Sequence, residues 1–142
     1  MVSRSRKVFI DSSILVAFVD RGASNHSIAS KAVEDLASMS CHLYTSSQVI
    51  TDSYALLSRG ISTTIALEFL LSMLQSGIEI LFPQKTDLIT AHRILRVNRS
   101  RQISIGEALN ATLMQKKGIT QILTFTRWNN LFGTSVSNLI LV

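Results

Sequence analysis

Nine acids are spread along 142 residues, and three of them stand where a carboxylate needs a reason. Asp11 ends the apolar run Lys7–Ile10 and is followed at once by Ser12, Ser13 and the unbroken apolar stretch Ile14–Val19. Strand interiors disfavour Asp, and a carboxylate beside a core must be capped, paired or bound to metal. An N-cap for a helix opening at Ser12 is the plain alternative. Asp52 has Val49 three residues before it and Leu56 four after it, spacings that put all three on one helix face. It reads either as an acid in a core-facing stripe or as one at the stripe's edge, reaching water. Glu107 follows Ser104 by three residues, which is the spacing of a capping box. That cap does not exclude a second role, because a helix N-terminus can hold an acid that points into a crevice. Asp20, Glu34, Asp35, Glu68, Glu79 and Asp87 fall on expected solvated faces, strand ends or first helical turns.

Strands must alternate with helices to position these acids. The pattern predicts a strand over Lys7–Ile10 and a helix that fades at Asp20-Arg21-Gly22. A second helix, capped at Ser24 or Asn25, carries Ile28, Ala29, Ala32, Val33 and Leu36 at helical spacing. Cys41–Tyr44 is a short buried strand. Thr45 and Gln48 have capping-box spacing and open a helix that Gly60 ends. Ser62 caps Thr63–Gln75, which Gly77 ends. Ile78–Leu81 is a strand stopped by Pro83, and Thr86 caps the helix that follows. Ser104 caps a helix reaching Lys117-Gly118. Ile119–Phe125 holds another strand, and Val136–Val142 a terminal one. The expectation is a three-layer α/β/α domain over residues 1–142, with a central, mostly parallel sheet of four to five strands. In such sheets ligands bind beyond the carboxyl ends of the strands, where Asp11 would stand.

Composition sets the bounds. A hydrophobic fraction of 46% with few Gly and Pro argues against disorder. The formal charge of +5 suits an anionic partner, nucleic acid first, and equally a mildly basic solvated surface; charge alone does not decide between them. Cys41 is the single cysteine, which excludes a disulfide framework and fits a reducing, cytoplasmic compartment. No apolar stretch approaches the roughly 20 residues of a membrane span. Arg4, Arg6 and Lys7 before an apolar run imitate a signal peptide, but Asp11 and two serines interrupt that run. His26, His42 and His92 lack metal-ligand spacing, and no glycine-rich phosphate loop occurs.

Taken in order, Val8-Phe9-Ile10-Asp11-Ser12-Ser13, Tyr44-Thr45 through Val49-Ile50 to Asp52, Ile103-Ser104-Ile105-Gly106-Glu107-Ala108, and Gly118-Ile119 through Ile122-Leu123-Thr124-Phe125 resemble the PIN-domain ribonucleases. That family includes the toxin half of many bacterial toxin–antitoxin pairs. The resemblance implies a metal-dependent RNA endonuclease using Mg²⁺ or Mn²⁺, with RNA as substrate and an antitoxin as partner. It places Asp11 at the family's first acid, with Ser13 as its nearby hydroxyl. Asp52 stands where the family usually has Glu, and Glu107 where it usually has Asp. Catalysis and metal binding would fall to these three, supported by Ser13, Thr124 and Thr126. The fourth position departs from the pattern, since the acid usually found after Thr124-Phe125 is here Thr126. Arg127, Trp128, Asn129 and Asn130 supply no substitute, and Trp128 matches an aromatic that packs after that motif. Hard Mg²⁺ takes oxygen ligands and keeps several waters, so three carboxylates suit one ion, and a second would be weaker or absent. Thr126 accordingly favours a second reading, a PIN-like module that binds RNA or protein without catalysis. A third reading, a generic α/β binding protein with Asp11 and Glu107 as caps, leaves Asp52 unexplained.

Two surfaces complete the reading. Arg93, Arg96, Arg99 and Arg101 precede Ser104 and Glu107, so a phosphate backbone could lie beside the acids. The alternative is a solvated helix end whose cations suit the macrodipole. Ile65, Leu67, Leu70, Leu71 and Leu74, with Phe69 and Met73, form a broad stripe that reads as core first and as a subunit interface second; the resemblance, in which helices near this region often pair two protomers, makes a homodimer the secondary expectation.

Overall fold

The computed structural model describes residues 6–126 and the backbone of residues 137 and 138. Strand β1, Arg6–Ile10, is its centre, with Val8, Phe9 and Ile10 wholly buried. The chain continues through α1 (Ser12–Val19), α2 (His26–Ser38), β2 (Cys41–Ser46), α3 (Ser47–Gly60), α4 (Thr63–Gln75) and β3 (Glu79–Leu81). It then forms α5 (Lys85–Val97), a 3₁₀ turn at Arg99–Arg101, α6 (Ile105–Lys117), β4 (Gln121–Leu123) and β5 (Ser137–Asn138). The expected Val136–Val142 strand is seen as β5; the rest of that range, with Arg127, Trp128, Asn129 and Asn130, lies outside the described residues.

The five strands run in the order β3-β2-β1-β4-β5, and every pairing is parallel. Strands buried on both faces need continuous apolar runs, which Val8–Ile10 and Ile122–Leu123 supply. From β1 the chain steps to β2 and β3 on one side, then crosses to β4 and β5 on the other. The switch point of the sheet therefore lies between the carboxyl ends of β1 and β4. Right-handed crossovers put α1–α4 on one face of the sheet and α5 and α6 on the other. The packing agrees: α1 contacts α2 and α3, α3 contacts α4, and α5 contacts α6. The main core joins β1, β2 and β4 to α1–α4 and the second half of α6, through Ile14, Leu57, Phe69, Leu113 and Met114. A smaller cluster, Ala91, Ile94, Ala108 and Leu109, joins α5 to the first half of α6.

Most helix limits follow their local signals. Ser62 and Ser104 cap α4 and α6, accepting from the N–H of Ile65 and Glu107. Gly118, at φ +68°, closes α6 in the left-handed conformation that glycine adopts without strain. Asn25 stands at the N-cap of α2 without a side-chain cap bond. Two expected caps are displaced. Ser46, not Thr45, caps α3, because Thr45 is still in β2 and its hydroxyl donates across the sheet to Ile10 O at 2.8 Å. Gln84, not Thr86, opens α5, and Asp87 completes that capping box. The core-facing reading of Asp52 also fails. Val49, Ile50, Ser53 and Leu57 face inward, while Leu56 is 54% exposed and Asp52 is exposed with it.

Candidate active site

Asp11 sits at the switch point as the N-cap of α1. Only 8% of it is exposed. Its Oδ1 accepts from the Ser13 N–H at 3.0 Å and the Ser13 hydroxyl at 2.6 Å. Its Oδ2 accepts from the Thr124 hydroxyl, with the Thr126 hydroxyl 3.5 Å away. Ser13 Oγ in turn accepts from the Phe125 N–H at 3.0 Å, so the end of β4 is tied to the start of α1. Burial pushes the Asp11 carboxyl above its ordinary range, and the hydrogen bonds from Ser13 and Thr124 offset only part of that. Among the described residues no charged neighbour contributes to that shift. The N-cap and the site are thus one residue: the geometry that caps α1 also holds a buried carboxylate with no ion pair among the described residues.

The other acids reach this end of the sheet from its two faces. Asp52 lies on α3, and its Oδ2 is 3.5 Å from the place a Cβ would occupy on Gly106. Gly106 belongs to the first turn of α6, next to Glu107. Glu107 forms the expected capping box: its N–H donates to Ser104 Oγ at 3.1 Å, and its Oε1 accepts from the Ser104 N–H at 3.3 Å. The structure therefore brings Asp11, Ser13, Thr124 and Thr126 into one hydroxyl-lined pocket, and Asp52 beside the helix end that carries Glu107. Among the described residues no three Asp, Glu, His or Cys side chains gather as a ready metal cage. The donor chemistry nonetheless fits one hard divalent ion, because among the described residues the buried Asp11 carboxylate has no ion-pair partner and the site offers oxygen donors. It does not fit two ions, because Thr126 adds a neutral hydroxyl where a further anion would be needed.

Arg93 and Arg96 are exposed on α5, and Arg99 and Arg101 on the 3₁₀ turn. None of the four is in an ion pair among the described residues. Their charge stands ahead of the α6 N-terminus, whose own N–H groups favour anions.

Against protein-family models, residues 8–127 match the PIN domain. The chain belongs to the PIN-domain family. Among solved structures, this PIN domain is similar to VapC20 of Mycobacterium tuberculosis, a sarcin-ricin loop cleaving toxin, at 23% identity and TM-score 0.76. That alignment covers 84% of this chain and 89% of the other. It is also similar to VapBC2 from Rickettsia felis bound to a DNA fragment from their promoter, at 14% identity and TM-score 0.63, over 84% and 88% of the two chains. No curated protein matches it. At these identities the two structures establish the fold, which agrees with the parallel α/β/α architecture read from the sequence.

Two buried polar side chains away from Asp11 also join elements of this PIN domain. Asn110 is 7% exposed, and its Oδ1 accepts from Ser46 Oγ at 2.6 Å and Gln48 Nε2 at 2.7 Å. Its signal in the sequence is an amide inside the otherwise apolar turn Ala108-Leu109-Asn110-Ala111. Asp87, assigned to a first helical turn, is there, but it is 2% exposed and paired with Lys116 at 2.9 Å.

Proposed function

We propose that this PIN domain is a divalent-metal-dependent RNA endonuclease and the toxin of a toxin–antitoxin pair. The observation that carries the reading is Asp11: a buried carboxylate at the switch point, held by hydroxyls and an N–H and without an ion pair among the described residues, with acids from both faces of the sheet brought toward the same end. Asp11, Asp52 and Glu107 are the residues that would hold Mg²⁺ or Mn²⁺. Such an ion, when bound, activates water and offsets phosphate charge. Ser13 and Thr124 orient the Asp11 carboxylate by donating to its two oxygens, and Thr126 closes the pocket. Arg93, Arg96, Arg99 and Arg101 would draw the RNA backbone to the α6 N-terminus. The likeness to VapC20 and VapBC2 supports RNA as the substrate and an antitoxin as the partner.

The test is cleavage of labelled RNA with Mn²⁺, beside Asp11→Asn. Cleavage lost in the variant supports the enzyme. Equal cleavage in both points to a contaminant and removes the proposal. The competing reading, a PIN module that binds without cutting, rests on Thr126 and predicts RNA retained but intact in the same assay.

The apolar stripe of α4 divides in two. Ala66, Phe69 and Met73 are buried, whereas Leu67, Leu71 and Leu74 are 54%, 56% and 64% exposed. With Leu56 of α3 equally exposed, this face is wide enough to propose as the homodimer surface.

A further inference from the structure

The amide of Asn110 has an orientation fixed by its neighbours. The Val49 N–H donates to Ser46 Oγ at 3.2 Å, which leaves the Ser46 proton for Asn110 Oδ1. Ser47 Oγ donates to Gln48 Oε1 at 3.3 Å, which turns the Gln48 amide nitrogen toward the same oxygen. One atom of α6 thus receives both the N-cap and the second residue of α3. Four residues along α3 from Gln48 is Asp52; four residues back along α6 from Asn110 is Gly106, and those two are also adjacent. The helices meet in antiparallel register over one turn, held at one end by Asn110 and allowed close at the other by a residue without a side chain.

Little else holds them together. Helix α3 packs chiefly on α4 and α1, and α6 on α5. They come from opposite faces of the sheet, and the first half of α6, which carries Glu107, packs in the smaller cluster with α5 and not in the core that holds α3. An amide placed within the fully buried run Ala108–Met114 is costly unless its bonds are made. Here the bonds made among the described residues go to the start of α3.

We infer that Asn110 is a positioning residue, whose amide oxygen clamps the first turn of α3 to α6 and so sets where Asp52 stands relative to Glu107. Its consequence for turnover rests on the ribonuclease reading; the clamp itself does not.

Asn110→Ala, Gln48→Ala and the double variant would be measured in the full chain, with Mn²⁺-dependent cleavage of labelled RNA and metal-free amide hydrogen exchange. At a temperature where circular dichroism shows each variant folded, Asn110→Ala should lower kcat by about tenfold to a hundredfold, as an ångström-scale misplacement does, with KM little changed. Gln48→Ala should lose less, and the double variant no more than Asn110→Ala, because both changes break one link. Without metal, the amides of residues 49–52 should exchange faster in Asn110→Ala while those of β1 do not. Unchanged kcat in an active protein, additive losses, or unchanged exchange over residues 49–52 would each overturn the inference. A wild-type protein that cuts no RNA but shows the exchange effect would sink the ribonuclease reading and leave the clamp standing.

Discussion

Thr126 places a hydroxyl 3.5 Å from Asp11 Oδ2, and the same hydroxyl lies 2.8 Å from that of Thr124. An aspartate at this position would set a second anion against a carboxylate that burial already disfavours in its charged form. Thr126→Asp is therefore expected to melt below wild type in chelator, through like-charge repulsion. In millimolar Mn²⁺ it should gain more in melting temperature than wild type does, because a fourth oxygen anion joins the site. Thermal melts with chelator and with Mn²⁺ check both signs. An equal metal-induced shift in the two proteins would show that position 126 does not touch the ion.

Between elements, Asp87 at the start of α5 and Lys116 near the end of α6 form the pin of the smaller face. Burial pushes the Asp87 carboxyl up, but the Gln84 N–H and the Lys116 ammonium outweigh it and hold the carboxyl below its ordinary value of 3.8. The charged form is thus the one the fold prefers. Its contribution is present above pH 3.8 and is lost as pH falls through the lowered native value. Lys116→Met should cost about 1–2 kcal/mol near neutral pH, less than breaking a fully buried pair because Lys116 is half exposed. Urea unfolding across pH should show that penalty shrinking as the solution becomes strongly acidic. The helix ends also show which parts of the fold were legible in the sequence. Ser62, Ser104 and Gly118 were, because a cap is satisfied by atoms three or four residues away. Thr45 and Thr86 misled, because a choice between neighbouring polar residues depends on where the preceding strand ends. For Thr45 the deciding bond goes to Ile10, thirty-five residues back. Asp11 and Glu107 were visible as acids at helix starts. The surroundings of Asp52 and the role of Asn110 were not, because both depend on α3 meeting a helix from the other side of the sheet.

For the whole molecule, an excess of positive charge and an exposed leucine face separate two kinds of association. Reversing Arg99 and Arg101 to Glu should weaken RNA binding and flatten its dependence on log salt by about 1.4, if each arginine meets one phosphate of a single strand. Binding titrations at several salt concentrations read this directly. Leu71→Glu with Leu74→Glu should convert a dimer to a monomer in sedimentation, while a wild type that is monomeric at tens of micromolar would refute that interface. The order of the strands carries a consequence for synthesis. Asp11 leaves the ribosome early, yet the hydroxyl that closes on it comes from Thr124, just after β4, which pairs with β1 on the flank away from β2. A nascent chain that has made β1, β2 and β3 holds Asp11 and Asp52 but neither Glu107 nor the pocket wall. On the proposed ribonuclease reading, incomplete or prematurely terminated chains would therefore be inert, and cleavage would begin only after Thr124 has emerged.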